Sequence, residues 1–170
     1  PHVSPLLRKT RQLGLRTSDS LLRLAVLRGC THYAPPDFDA AAERDPGSER
    51  LSDLELAISL CSGAQAYHPL LVRCAAQLLG SDGISAVALV HLARMERCEA
   101  VIAQIAKAGA SHDVGREAFW RDVLAQLRGV RAAPTGLLPH WSRFVVQTGL
   151  VRGGQRHPRS VWLRPRMSAQ

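Results

Sequence analysis

Asparagine is absent from this chain, and lysine nearly so: of 22 basic side chains 20 are arginine, with Lys9 and Lys107 the exceptions. With its abundant alanine, that is the usage of GC-rich coding sequence. Part of the arginine excess is therefore compositional habit, and the placement of charge says more than its total. Aromatic residues make up 5% of the chain, which argues against a platform of exposed rings for stacking single-stranded nucleic acid. Phe119, Trp120, Trp141 and Phe144 have the spacing of helical core residues; only Trp162, with Arg164 nearby, qualifies for stacking, and the favoured reading for it is a strand residue packed on the preceding helix. No run of about twenty apolar residues occurs, so no helical membrane span is expected. The most apolar window, Ile84 to Ala93, is interrupted by His91 and followed by Arg94. The first residues lack the long apolar run of a secretory signal, and the expected setting is cytoplasmic.

Catalytic signatures are missing as well. Neither the phosphate-cradling G-x-x-x-x-G-K-[ST] nor G-x-G-x-x-G occurs, and there is no G-x-S-x-G nucleophile elbow. The four cysteines, Cys30, Cys61, Cys74 and Cys98, do not form the closely spaced pairs that a structural zinc site uses. Cys30 and His32 are near neighbours, but no second pair matches them. Cys61, Cys74 and Cys98 fall inside helical apolar patterns, where a free thiol packs as a small hydrophobe in a reducing compartment. His91 reads as a packed histidine. Acids able to pair for proton transfer lie in a hydrated loop, where their pKa values stay ordinary. No catalytic residue, metal ligand or cofactor is assigned, and the expectation is a non-enzymatic protein.

What is present is a chain of 170 residues, 46% hydrophobic, with a formal charge of +8 and a pI near 10.3. The charge comes in blocks. Residues 1–33 carry six basic side chains and one acid, Asp19. Residues 34–60 reverse the balance, with seven acids (Asp37, Asp39, Glu43, Asp45, Glu49, Asp53, Glu55) against Arg44 and Arg50. From Thr135 to Gln170 there are six arginines and no acid. For the N-terminal block, pairing with the acidic segment is the favoured reading. For the C-terminal block, solvated surface and an electropositive contact surface stand level.

Periodicity and punctuation predict a mainly α fold, a compact bundle of six or seven short helices with a small wing-like C-terminal β-hairpin. Ser18 or Asp19 caps a helix that Gly29 stops. Ser52 and Glu55 form a capping box, with Leu54, Ala57, Ile58 and Cys61 on one face. Pro69 opens the next helix and Gly80 closes it. From Ile84 to Ala108 the sequence is helix-compatible throughout. One helix of that length would span about 37 Å, too long for a small domain, so a break is expected near Arg94 to Glu96. Leu92, Met95, Cys98, Ile102 and Ile105 make the buried stripe. Asp113 starts a further helix. Pro139 starts the last, with Trp141, Phe144, Val145 and Thr148 on one face and Gly149 as its stop. Leu150–Arg152 and Val161–Arg164 are short β-compatible pieces joined by a loop containing Gly, Pro and Arg. The organisation read from this is a basic arm, first helix and acidic linker over 1–50, a helical core over 51–130, and a C-terminal helix plus basic hairpin over 131–170.

The order helix, glycine, "LVR", glycine-rich basic loop, "VWLRP" resembles the end of a winged-helix domain. That resemblance implies a helix in the major groove, with Arg143 and Gln147 as its polar residues, and a hairpin touching the flanking backbone. The expected function is phosphate contact by Arg143, Arg152, Arg156, Arg159, Arg164 and Arg166, within a subunit of a larger nucleic-acid-associated complex (DNA or RNA). The alternative is a helical protein–protein adaptor whose arginines meet an acidic protein surface. Neither reading involves a membrane.

Overall fold

The computed structural model describes residues 4–166, of which 150–152 and 155–158 are described as backbone alone. Among them are seven α-helices and one two-stranded antiparallel sheet. At the centre lie α3 (Asp53–Cys61) and α4 (Pro69–Leu79), packed side by side. Both are apolar on nearly every face. Leu56, Ala57, Ile58, Leu60 and Cys61 of α3 are fully enclosed, as are Val72, Cys74, Ala75, Ala76, Leu78 and Leu79 of α4. A helix that is hydrophobic all round belongs inside the bundle. The others surround this pair: α1 (Pro5–Gln12) on α3, and α2 (Ser18–Leu27) on both. Next come α5 (Ala86–Met95) on α3, and α6 (Glu99–His112) with α7 (Glu117–Gln126) as a packed pair.

The helix ends follow local chemistry. The Ser52–Glu55 capping box forms reciprocally, Ser52 Oγ accepting from the Glu55 N–H and Glu55 Oε2 from the Ser52 N–H. The cap of α2 is Thr17, reciprocal with Ser20, one residue before the expected one. Gly29 ends that helix at φ +109°, with the Cys30 N–H reaching back to the Ala25 carbonyl, a Schellman closure. The break in the long helical pattern falls where expected. The Arg97 N–H meets the Arg94 carbonyl, and the Cys98 N–H meets that of Ala93. Arg97 takes φ +57° there, the left-handed position usually given to glycine.

Several local expectations fail. Met95 is 47% exposed and His91 is exposed; both face solvent on α5 rather than packing. Asp113 starts no helix. It ends α6 as a buried side chain, and α7 begins at Glu117. The helix expected from Pro139 to Gly149 does not exist: a single 3-10 turn, Trp141–Arg143, leads directly into β1 (Val145–Arg152). The helical spacing there was coincidental. Val145, Val146, Thr148 and Val151 are β-branched and prefer a pleated strand. With the helix goes the element that the winged-helix resemblance required.

β1 pairs with β2 (Gln155–Trp162) through a two-residue turn, Gly153–Gly154. Their φ values of +58° and +77° are what a turn matching strand twist demands. Pro158, expected in a loop, sits inside β2 opposite Gly149. The bond from the Leu163 N–H to the Phe144 carbonyl sets the ladder's parity. It makes Phe144–Leu163 a hydrogen-bonded pair, and the alternation then leaves Gly149–Pro158 a non-bonded one. The missing proline N–H therefore faces the open edge and costs no ladder bond.

The hairpin is fastened at its base. Phe144, Val145 and Trp162 are buried, and the Trp162 indole N–H donates to the Ala76 carbonyl of α4 at 3.1 Å. Its ring packs beside those of Trp120 and Phe144, with centroids 5.6 Å away in each case. Beyond β2 the chain crosses the bundle as a strap. Gln77 Nε2 donates to the Arg164 carbonyl, and the Arg166 N–H to that of Gly29. The strap lies close because two crossing points lack side chains. A Cβ on Gly29 would sit 2.7 Å from Arg166 backbone, and one on Gly80 3.0 Å from the Leu163 carbonyl. Gly109 serves Trp120 in the same way, its absent Cβ lying 2.5 Å from the ring.

Charge pairing concentrates at the N-terminal end. Arg23 binds Asp19, Asp37 and Glu43, while Arg28 binds Asp45 and Asp53 and donates to the Leu51 carbonyl. Lys9 pairs with Glu55. The acidic segment is thus wrapped onto the N-terminal basic block. Arg28 holds Asp45 below the usual carboxylate range, and Arg23 does the same for Asp37. Burial pushes the Glu55 carboxyl up, but Lys9 and the Ser52 N–H outweigh it and the net shift is downward.

All four cysteines are free and buried. Burial raises the Cys61 thiol well above its ordinary value and brings Cys98 to about 12. At neutral pH these groups stay thiols.

Two outcomes follow for stability. Carboxylates with depressed pKa values bind fewer protons folded than unfolded. Their contribution is complete above the unfolded value near pH 4 and is lost as pH falls through the folded one. The urea midpoint should therefore hold above about pH 5 and fall below about pH 4, and Arg28→Gln should lower the unfolding free energy by roughly 2 kcal/mol at neutral pH while flattening that acid limb. Gly109→Ala should cost about 1–3 kcal/mol through overpacking against Trp120, read from the same unfolding curves.

Candidate nucleic-acid interface

The C-terminal end begins with a proline. Pro139 is buried, and His140 then caps the 3-10 turn by accepting from the Ser142 N–H at Nδ1. This turn presents Arg143, which is exposed. Arg159 is exposed on β2, in the same strand face as Val146, Thr148 and Val161. Arg166 is exposed at the end of the strap. None of these three arginines forms an ion pair among the described residues. Arg152 pairs with Gln155 across the turn and Arg156 with Val151, as backbone register; their side chains lie outside the described part.

Arg164, expected among the outward-facing arginines, is a correction. Its Nη2 donates to Asp113 Oδ1 at 2.7 Å, and its Nη1 bonds the Gly80 carbonyl at the end of α4. Asp113 is 1% exposed at its side chain and also accepts from the Trp120 indole N–H at 2.7 Å. A buried carboxylate needs such partners, so this guanidinium serves the fold. Gln147 lies in β1, exposed, instead of on a reading helix.

Sequence reasoning missed one arginine. Arg73 of α4 lies amid apolar residues, with no local signal of function. Burial, then the neighbouring Cys74, pushes the Tyr33 hydroxyl up to about 12, and the guanidiniums of Arg73 and Arg143 pull against that rise. Two cations from distant segments therefore act on one ring. Arg73 Nε is buried without a hydrogen-bond partner among the described residues.

A cleft of about 200 Å³ also opens beside the foot of the hairpin, lined by Gln104, Lys107, Ala108, Ser111, His112, His140 and Trp141. The first five recur at helical spacing on one face of α6. His112 stacks on Trp141, centroids 3.8 Å apart and planes 11° from parallel. Trp141 was expected in the core of a helix. Once the helix is replaced by a turn and a strand, the ring stands half-buried at a cleft edge, while Trp162 is a packed strand residue, 3% exposed.

Among the described residues no three His, Cys, Asp or Glu side chains converge as metal ligands, and no helix is long and apolar enough to cross a membrane. Compared with known proteins, the chain matches no family model, no curated protein and no solved structure.

Proposed function

We propose that this protein binds nucleic acid non-enzymatically, gripping phosphates with its C-terminal end as a small subunit of a larger complex. One observation carries the reading. Five of the seven acids of the acidic segment (Asp37, Glu43, Asp45, Asp53 and Glu55) are engaged by Arg23, Arg28 and Lys9, while Arg143, Arg159 and Arg166 stand exposed without an ion pair among the described residues. An arginine fork suits phosphate, and a positive surface draws in a polyanion from a distance. With Arg164 held by Asp113, the contacting set is Arg143, Arg152, Arg156, Arg159 and Arg166. Free buried thiols fit a reducing, cytoplasmic setting.

A second reading, a protein adaptor, is favoured by the β1 edge. By the ladder's parity the outward N–H groups of β1 are those of Val145, Gln147, Gly149 and Val151, and no proline interrupts them. Beside that edge Val146 and Val161 pair across the strands at 38% and 47% exposure. An acidic extended segment added there would gain main-chain bonds. Ultraviolet absorbance of protein purified at low salt separates the two, since a nucleic-acid signal that a high-salt wash removes supports the first.

If four or five arginines each neutralise one phosphate, log K should fall with log salt at a slope of roughly −3.6 to −4.5. Affinity would then drop about a hundredfold or more between about 50 and 200 mM salt. Combined Arg152→Gln, Arg156→Gln and Arg159→Gln replacement should reduce that slope by about 2.7 and leave helicity intact. Fluorescence anisotropy with labelled oligonucleotides reads both. Binding indifferent to salt and to these replacements would refute the proposal.

A further inference from the structure

Resting on the nucleic-acid reading, we infer that the cleft between α6 and the Trp141–Arg143 turn seats one nucleotide of a single strand, its base on the Trp141 ring and its phosphate at Lys107. The lining combines polar side chains with one indole. Lys107, His112 and His140 are its ionisable groups, and no acid contributes. Gln104 and Ser111 add hydrogen-bonding groups that can both donate and accept. The apolar element is an indole stacked on His112 with His140 tilted 5.2 Å from it, so a planar base placed there extends an existing aromatic cluster. Base stacking on an aromatic ring is tolerant of sequence, and it requires a base face that a duplex keeps hidden. Ala108 forms part of the wall with a single methyl, and the volume of about 200 Å³ admits one base, not a run of them.

Position supports the same ligand. Trp141 lies two residues from Arg143 and four from Val145, where β1 begins. A strand with one base in the cleft thus has a neighbouring phosphate beside Arg143 at the foot of the hairpin. The cleft supplies what the hairpin lacks. Arginines on a hairpin grip any phosphate chain, and a stacking ring distinguishes a strand with free bases.

Two indoles are buried, Trp120 at 0% and Trp162 at 3% exposure, so a base at the cleft acts on the emission of Trp141. The test titrates the whole protein with a short oligothymidylate, an abasic strand of the same length and a duplex. Anisotropy and tryptophan emission are both followed. The base-carrying strand should bind about tenfold tighter than the abasic strand and quench the emission. The duplex should bind like the abasic strand. Trp141→Leu should abolish the difference between strands. Lys107→Gln, at an exposed position that leaves folding undisturbed, should weaken the oligothymidylate several-fold. Equal binding of base-carrying and abasic strands, with the salt dependence intact, would overturn this inference and leave the phosphate reading standing. Failure of every strand to bind would overturn both.

Discussion

A single buried carboxylate organises the C-terminal half of this molecule. Asp113 is withdrawn from water at the end of α6, and an unpaired charge there would cost several kcal/mol. The Trp120 indole N–H and the Arg164 guanidinium meet it directly, with Arg116 4.0 Å away. The same two arginines reach the last carbonyls of α4, Arg116 at Leu79 and Arg164 at Gly80. Those carbonyls have no partner within their own helix, and they carry the negative end of its dipole. One acid and two cations therefore satisfy a buried charge, a buried indole and a helix terminus together. Arg116 also lies over the Phe119 ring, 4.3 Å from its centroid. The consequence reaches the hairpin. To bring Arg164 to Asp113, the chain leaving β2 must cross the bundle, and this crossing holds Trp162 in the core. The hairpin is thereby aimed by its base.

The charge blocks resolve through the same logic of burial. Arg28 is 7% exposed at its side chain, so it must be paired, and Asp45 and Asp53 supply the pairing. Arg23 gathers three carboxylates on a more open surface, where each contact contributes little singly and the set pins the acidic segment. The segment that looks like a mobile linker in sequence is held by cations that precede it. With those acids engaged, Arg143, Arg159 and Arg166 stand exposed without an ion pair among the described residues. The net charge of +8 is unevenly spread along the chain, residues 135–170 carrying six arginines and no acid.

Much of the helical architecture was legible because its signals are local. The Ser52–Glu55 box, Pro69 at a first turn, the glycines after α2 and α4 and the break before Cys98 are all decided within a few residues. The site was less legible because its geometry is decided at long range. Trp141, Phe144, Val145 and Thr148 fit a helical template by spacing alone. They become turn and strand because Trp162 and Phe144 need a shared place in the core, over a separation no local pattern records. Arg164 looked free for the same reason: Asp113, its partner, is 51 residues away. Arg73 and the α6 face of the cleft carry polar residues on helices whose other positions advertise a core, and periodicity assigns such residues to solvent without saying what gathers around them.

The hairpin also shows how a short ribbon can stay exposed without inviting aggregation. A two-stranded sheet has two open edges, each a template for another strand. Pro158 removes one outward donor from β2 and, by its parity, none from the ladder. Gly149 across from it offers no side chain to a strand adding on β1, and the exposed Arg159 repels its counterpart on a second copy of the same ribbon. Edge and face are also geometrically separate: main-chain donors lie in the plane of the sheet, and side chains such as Arg159 stand off it. Phosphates held by side chains would leave the β1 edge unoccupied. The two readings of this element therefore use different atoms, and a subunit that holds a nucleic acid through its arginines retains a strand edge through which a protein partner can join the assembly.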